Sequence, residues 1–451
     1  MDPYHPYLIG DCLIHIYSFL TEEDLIVASH VCKDWHEAAD TPWLWRRLCL
    51  QRWTFCNLAV LGSDRVNHSW KTYFLRRRHL EEEMTQGRSG GYICISLRGH
   101  TGRVVGLVYL QGNSAQLPEL CSSSATVCSG STDGTVRAWN IQNGEPVCRL
   151  HRPHQDLASQ QRPGGGLVPT ASPHCSLVQY SFNNDWFLSV GTSQGSVLTL
   201  ADSTLTKKSS IKVWDEFKVN VLVVSPNKKW IAAGTKDSDD LCPKVIYTES
   251  LTSPSEDEDP LCQAVPITGC QAAVFVPTQP ARLAVIHFTA LSTNKALTVF
   301  DVSIKKTKYK ADIQVQQVES FPLTLKNWSS HILLEARDSN CLVVAADQQL
   351  WVYSLKGALL ANFKEHIMSI SSICLDNFRV VTASQDLSLR VLTWTKNKDN
   401  GLSLESRYHL LGGSHTMSRG FTHVASDYTS IVASVEGKDG KDVLKAYFFT
   451  S

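Results

Sequence analysis

His100, Ser129, Asp133 and Trp139 are the residues of this sequence whose types and spacing could do chemistry. An imidazole and a carboxylate can move protons. Buried together, the same groups have to satisfy one another, because buried polar atoms need partners, and a buried Trp139 needs an acceptor for its indole N–H such as a nearby hydroxyl. The architectural reading is preferred for His100 and Asp133. Other chemistry is sparse. His151-Arg152-Pro153-His154 offers two imidazoles with no carboxylate or thiol at ligand spacing, so no metal is expected there. The sequence has no glycine-rich phosphate loop and no Gly-x-Ser-x-Gly elbow, so neither a cofactor nor catalysis by the chain itself is expected. Arg76-Arg77-Arg78-His79 followed by Glu81-Glu82-Glu83 reads as charge pairing along an exposed helix rather than as a phosphate site.

The four residues need a frame that brings them together. Asp133-Gly134 is a hairpin turn signal, flanked by short, partly alternating segments from Val127 to Ser131 and from Thr135 to Trp139. Gly99-His100 opens a unit that closes on Trp139-Asn140, a repeat of roughly 40 to 45 residues. This stretch resembles a WD repeat, the four-stranded blade of a β-propeller, and the resemblance implies that His100, Ser129, Asp133 and Trp139 form one buried hydrogen-bonded set. Weaker copies of the pattern fall at 174–200, 219–247, 270–301, 321–353, 366–392 and 415–448. In the sixth, His366, Thr382 and Asp386 fill the polar places and Leu392 replaces the tryptophan. Seven blades are expected. Ring closure has to hide the edge strands, so Tyr92–Ile95 should pair with the Lys445–Phe449 region.

The first fifty residues have a different character. Leu13, Ile16, Tyr17 and Leu20 recur at helical spacing, Thr21-Glu22-Glu23-Asp24 is a capping-box start for a second helix, Lys33–Ala39 makes a third, and Thr41-Pro42 starts another. So few short helices cannot bury all their apolar side chains among themselves, which points to a protein partner. Leu13, Ile16, Leu20, Asp24, Leu25, Ala28, Val31, Cys32, Trp35, Ala38, Asp40, Leu44, Trp45 and Leu48 together resemble the F-box pattern, with Leu8-Ile9 where that family usually has Leu-Pro. The resemblance implies binding of a Skp-type adaptor of a cullin-based ubiquitin ligase. The residues expected to meet it are Leu8, Ile9, Leu13, Ile16, Leu20, Leu25, Val31, Cys32 and Trp35.

The expected fold class is therefore mainly β with an N-terminal α-helical domain: F-box helices in 1–52, linker helices in 53–91 and a seven-bladed WD-repeat propeller in 92–451. Among 451 residues, 43 Lys plus Arg balance 43 Asp plus Glu, so no net field favours nucleic acid or an anionic membrane. The fourteen Cys form no Cys-x-x-Cys pair and read as reduced, packed thiols. No leader-like segment and no apolar run near ~18 residues is present, which sets the expectation of a cytoplasmic or nuclear protein. The segments 159–166 and 253–260 read as loops.

The order of parts resembles the F-box/WD-repeat family. That resemblance implies a non-catalytic receptor subunit, holding the adaptor and its cullin at one end and an unknown target protein on the propeller. Phosphopeptide readers of that family carry arginines at places where this sequence has Val105, Thr132 and Gln385, which counts against a phosphorylated target. Arg103, Arg152 and Lys236 lie in loops that could lend charge to the face. The alternative expectation is a WD-repeat scaffold whose F-box has decayed.

Overall fold

The structure is a computed structural model that describes residues 10–53, 69–110, 126–133, 136–150, 176–183, 185–192, 194–201, 206–253, 259–289, 292–306, 311–323, 331–337, 341–376, 378–396, 402–411, 418–437 and 439–449. Leu8, Ile9, His151, Arg152, His154, the 159–166 loop and most of the 253–260 loop lie outside them. Helices come first: α1 (Gly10–Tyr17), α2 (Glu22–Ala28), α3 (Lys33–Ala39), α4 (Pro42–Arg52) and α5 (Trp70–Gln86). The Thr21 hydroxyl caps α2 by accepting from the Asp24 amide at 3.3 Å, and Ser69 caps α5 by accepting from Thr72 N at 3.1 Å, each satisfying one otherwise orphaned donor. Pro42 takes the first turn of α4, where its missing N–H costs nothing. Leu13, Tyr17, Leu25, Leu44, Trp45, Leu48, Trp53 and Phe74 are buried in one cluster, each contributing roughly 1.5–3 kcal/mol by leaving water.

Strand β1 (Tyr92–Leu97) follows. The described residues then form seven four-stranded antiparallel sheets, six of them from consecutive strands. The first is β2 (Val104–Leu110), β3 (Thr126–Ser131), β4 (Val136–Asn140) and β5 (Pro146–Leu150); the second β6 (Leu177–Phe182), β7 (Asp185–Gly191), β8 (Ser196–Ala201) and β9 (Thr206–Lys212). The third is β10 (Val221–Val224), β11 (Trp230–Gly234), β12 (Lys244–Tyr247) and β13 (Cys262–Ala264), with the short α6 (Thr248–Thr252) before β13. The fourth is β14 (Cys270–Phe275), β15 (Arg282–Thr289), β16 (Ser292–Lys306) and β17 (Ala311–Pro322); the fifth β18 (Ile332–Arg337), β19 (Cys341–Ala346), β20 (Gln349–Ser354) and β21 (Leu359–Phe363). The sixth is β22 (Ile370–Leu375), β23 (Arg379–Ser384), β24 (Ser388–Lys396) and β25 (Leu402–Leu411). The seventh joins β26 (Ser418–Ser426), β27 (Ser430–Gly437) and β28 (Val443–Phe449) to β1. β1 runs against β28 with Tyr92 opposite Phe449 and Leu97 opposite Leu444, so the strand before the first sheet completes the last.

Neighbouring sheets share apolar cores. Trp230 and Val245 of the third pack with Leu283 and Phe300 of the fourth; Ile286 and Leu297 of the fourth pack with Leu342 and Trp351 of the fifth; Val432 and Leu444 of the seventh pack with Val127 and Trp139 of the first. From the second sheet round to the first, the first strands of successive sheets meet (β6 with β10, β10 with β14, β14 with β18, β18 with β22, β22 with β26 and β26 with β2), which puts them on the inner side of the array. The fifth repeat is framed differently from its sequence expectation. Phe321 belongs to β17, because β16 and β17 extend into a long hairpin and carry the fourth sheet to Pro322.

Candidate functional site

The polar set of the first sheet is closed. The His100 imidazole meets Ser129 Oγ through Nε2 at 2.8 Å and Asp133 Oδ2 through Nδ1 at 3.0 Å, and the Trp139 indole donates to the same Ser129 Oγ at 2.8 Å. With Ser129 accepting from the indole, its own proton is free to go to His100 Nε2, while His100 Nδ1–H donates to the carboxylate. Burial pushes the imidazole's pKa down despite Asp133, so it stays neutral. Ser129 has no exposed surface and Trp139 covers it; a hydroxyl that no substrate can reach is not a nucleophile. The sixth sheet repeats the arrangement: His366 Nε2 to Thr382 Oγ1 at 2.8 Å and Nδ1 to Asp386 Oδ2 at 3.0 Å, with buried Leu392 in the tryptophan's place. Among the described residues no group of three or more His, Cys, Asp or Glu side chains could hold a metal.

The two ends of the ring present different surfaces. At one end α5 joins the helical unit to the sheets. Tyr73 and Phe74 sit in the helical core, whereas Leu80 and Met84, farther along the same helix face, sit in the core shared by the sixth and seventh sheets. Between them Arg77, 3 % exposed, donates from Nε to the Tyr428 hydroxyl at 3.1 Å, lies over the Trp53 ring at 4.4 Å, and faces Glu81. The Tyr428 hydroxyl in turn donates to Glu81 Oε1 at 2.8 Å, and the Tyr408 hydroxyl donates to Met84 O at 2.8 Å. The helix ends on Gly87 at φ 58, where the Tyr408 ring leaves no room for a Cβ. Arg77 is thus a buried junction residue and departs from the solvated charge block expected of it. Arg78 does pair as expected, with Glu82 at 2.7 Å and also with Glu23 at 2.9 Å.

The residues expected to meet an adaptor separate into two groups. Ile16, Val31 and Cys32 face solvent, and Phe19, Val27, Trp43 and Leu50 are exposed beside them in sequence. Leu13 and Leu25, 3 % and 1 % exposed, are corrected to internal core, and Leu20 and Trp35 are partly buried against it. Helical spacing marked an apolar face without saying which part of it turns inward. Trp43 and Leu50 are also exposed, seven residues apart on the outer face of α4, a spacing that marks one helix face in the sequence.

Antiparallel strands place the opposite end. The Phe378 ring, in the turn from β22 to β23, meets Tyr428 in the turn from β26 to β27 at 5.2 Å, on the helix side. The turn from β23 to β24, with Gln385, Asp386 and Leu387, therefore lies at the far end together with His366 and Ile367, which precede β22. In the first sheet the corresponding end carries Arg103, Thr132 and Asp133. Arg103 is an ion-pair partner of Glu436 at 3.0 Å across the junction to the seventh sheet, so it is not a free charge as expected. Val105 lies in β2. Lys236 lies in the turn from β11 to β12, partly buried, and its ammonium makes no hydrogen bond or ion pair among the described residues.

An F-box-like family model matches residues 11–51. Human F-box/WD repeat-containing protein 12 is 27 % identical over 465 aligned positions, covering 96 % of this chain and 97 % of that protein, and mouse F-box/WD repeat-containing protein 15 is 21 % identical over 424, covering 88 % and 89 %. The chain is thus similar, over nearly its whole length, to F-box/WD repeat-containing proteins. Among solved structures, U3-55K matches with a TM-score of 0.46 at 13 % identity, covering 79 % of this chain and 98 % of that one; the RRP9 WD40 repeats match with 0.47 at 12 %, covering 79 % and 97 %.

The far end of the ring gathers groups that sequence spacing did not mark. His331 Nε2 lies 3.1 Å from Ser371 O at the start of β22. Burial, and then the charge of Lys236, hold the His331 pKa down; burial, and then His331, do the same to His423. Deeper in, on β18, Glu335 is partly buried and desolvation pushes its carboxyl up to about 7.

Proposed function

We propose that this protein is the substrate-recognition subunit of a Skp–cullin–F-box type ubiquitin ligase. The helical unit docks a Skp-type adaptor and, through it, a cullin, and the far end of the ring binds a target protein. The observation that carries this reading is the apolar surface left on the helices: Phe19 is 76 % exposed, Val31 59 %, Trp43 54 % and Ile16 46 %. These are large apolar side chains left in water, of the kind partner interfaces are built around, on a unit whose core is already filled by other residues. The F-box-like segment and the two curated relatives support it.

Under this reading the chain is not an enzyme. It supplies no reacting group, and its contribution to rate is to hold a target lysine near a ubiquitin-carrying enzyme. Buried Arg77 and the Tyr428–Glu81 bond make α5 a fixed strut, which sets that distance. Its place of action is the cytoplasm or nucleus. Affinity purification of the full chain should recover a Skp-type adaptor and a cullin. The double substitution Ile16→Glu and Val31→Glu, on exposed positions, should lower that recovery at least about tenfold with thermal unfolding unchanged. Undiminished recovery would remove these residues from the interface, and partners without any cullin would leave a scaffold.

A further inference from the structure

The turn from β26 to β27 is gripped on both sides. Tyr428 in this turn packs against the helical core and also against the core of the sixth and seventh sheets. Its hydroxyl donates to Glu81 Oε1 at 2.8 Å and accepts from Arg77 Nε at 3.1 Å, so it ties the middle of α5 to the ring. Leu80, Met84 and the Tyr408 hydroxyl on Met84 O hold the helix toward its C-terminal end.

What fixes Tyr428 comes from the ring. Asp427 Oδ1 accepts from Thr429 N at 2.9 Å, from Ser430 N at 2.7 Å and from Ser430 Oγ at 2.6 Å, which closes the turn on itself. Arg379, the first residue of β23 in the sixth sheet, then clasps it. Its guanidinium donates from Nη2 to Asp427 O and, at 3.3 Å, to Ser430 O, and from Nε to Asp376 Oδ2 at 3.0 Å. The Arg379 amide donates to Asp376 Oδ1 at 2.8 Å, so the carboxylate that compensates the charge also fixes where it sits. Phe378, one residue earlier, sets its ring 5.2 Å from that of Tyr428. Arg379 is 2 % exposed, and among the described residues its hydrogen bonds all stay within the ring. A buried guanidinium stabilises little beyond what apolar packing would; what it supplies is directed contact with two carbonyls and a carboxylate at once.

The helical unit lies at the far end of a lever. α5 rises ~1.5 Å per residue, so Trp70 is ~24 Å from Gln86. With the Tyr428 turn slack, the helix is held toward its C-terminal end alone, and a tilt of about 10° there carries the helical unit ~4 Å sideways.

We propose that Arg379 is a positioning residue for ubiquitin transfer: through the Tyr428 turn it sets the direction of α5, and with it which target lysine comes within reach of the ubiquitin-carrying enzyme. The proposal rests on the receptor reading above and deepens it. Lysine at this place would keep the charge and lose the clasp, because a single ammonium does not span Asp376 and both turn carbonyls.

The test is double electron–electron resonance on the full-length chain, with nitroxides carried on p-acetylphenylalanine in place of exposed Val27 of α2 and exposed Leu359 of β21. Arg379→Lys should broaden the distance distribution at least about twofold, Tyr428→Phe should broaden it too, and the two combined should broaden it no further than the larger single change. Arg379→Gln serves if the lysine variant fails to fold. Asp386→Asn, which weakens the ring away from α5, should leave the width unchanged. In the complex reconstituted with a Skp-type adaptor and a cullin, self-modification of the chain by ubiquitin, mapped by mass spectrometry, should move to different lysines in Arg379→Lys while adaptor recovery is retained. An unchanged width in Arg379→Lys, equal broadening by Asp386→Asn, further broadening in the double variant, or an unchanged lysine map would each overturn the proposal. A complex that forms without the cullin counts against the ligase reading alone, since the label distances are read on the chain by itself and still decide whether Arg379 sets the direction of α5.

Discussion

Replacing Glu335 by Gln should stabilise the protein at alkaline pH and leave it unchanged in acid. Glu335 lies on β18, opposite Val343 in the ladder and near Cys374 of the next sheet, and desolvation raises its carboxyl from 4.5 to about 7. A folded-state pKa above the unfolded value means that the folded chain holds the proton more tightly. The associated stability is fully present below about 4.5 and is lost as pH rises through about 7. At ~1.4 kcal/mol per pH unit, the ionised carboxyl is disfavoured by at most about 3.5 kcal/mol, and partial access to water reduces that to about 1–2 kcal/mol. Gln keeps the shape and one acceptor and has nothing to ionise. Thermal unfolding of both proteins at pH 5 and pH 8.5 is the assay: the variant should unfold at a higher temperature at pH 8.5, with a much smaller gain at pH 5. An equal gain at both pH values would show that packing, not ionisation, separates Glu from Gln, and would refute the reasoning.

Three further outcomes follow from named contacts. Tyr428→Phe removes the hydroxyl that links Arg77 to Glu81 and leaves the buried guanidinium short of a partner, at a cost of about 1–3 kcal/mol; hydrogen exchange should show faster opening of α5, whereas unchanged protection would mean the junction is held by apolar packing alone. Asp386→Asn exchanges one acceptor oxygen for a donor in a carboxylate that serves His366, the Ile367 amide and Ser388, so it should cost about 2 kcal/mol in chemical denaturation and loosen the Ile367 segment; a cost below ~0.5 kcal/mol would count against that network. Leu25→Ala should cost about 2–5 kcal/mol and lower adaptor recovery by unfolding the helices, whereas Ile16→Ala, on an exposed position, should change stability by less than ~0.5 kcal/mol; similar unfolding temperatures for the two would contradict the division into core and surface.

Local chemistry was legible in the sequence wherever one residue type has one physical job. Thr21 as a cap, Pro42 at a helix start, and the polar types at His100, Ser129, Asp133 and Trp139 each answer a requirement of hydrogen bonding, and the pairing of Tyr92 to Ile95 with the last strand answers the need to cover an edge. What the sequence withheld depends on distant partners. Arg77 reads as one charge in a block of charges, and only the approach of Tyr428 from the seventh sheet makes it a buried junction. Ile16 and Leu13 share a helical period, and no periodicity says which is covered by Trp45 and Leu25. The fifth repeat begins after Phe321, not at it, because the long β16–β17 hairpin carries the fourth sheet to Pro322, and no histidine–aspartate pair marks that boundary in the sequence. Ile367 and Met368 belong to no pattern at all; they stand out only when their fixed backbone and their exposure are seen together.

The sheets also show how a repeat loses its signature without losing its chemistry. In the first, Ser129 is satisfied by His100 and Trp139. In the second, buried Ser189 is satisfied instead by the hydroxyls of Tyr180 at 3.2 Å and Thr199 at 3.0 Å, with no histidine in the described set. In the fourth, His287 comes from the strand itself, meeting Thr298 at 2.8 Å, which meets Ser320 at 2.8 Å. In each of these three sheets the buried hydroxyl has a partner, and an unpaired one would cost about 1–3 kcal/mol; the residue that supplies the partner differs from sheet to sheet. Drift under that constraint removes the tryptophans and histidines by which a repeat is recognised, while the apolar cores between sheets persist. The sixth sheet has His366, Thr382 and Asp386 in the same arrangement with Leu392 in place of the tryptophan, so the histidine–hydroxyl–carboxylate bonds close without an indole donor. Asp386 also accepts from the Ile367 amide at 3.0 Å, as Asp133 accepts from the Thr101 amide at 2.8 Å, so in both sheets one carboxylate ties the segment entering the first strand to the turn between the second and third.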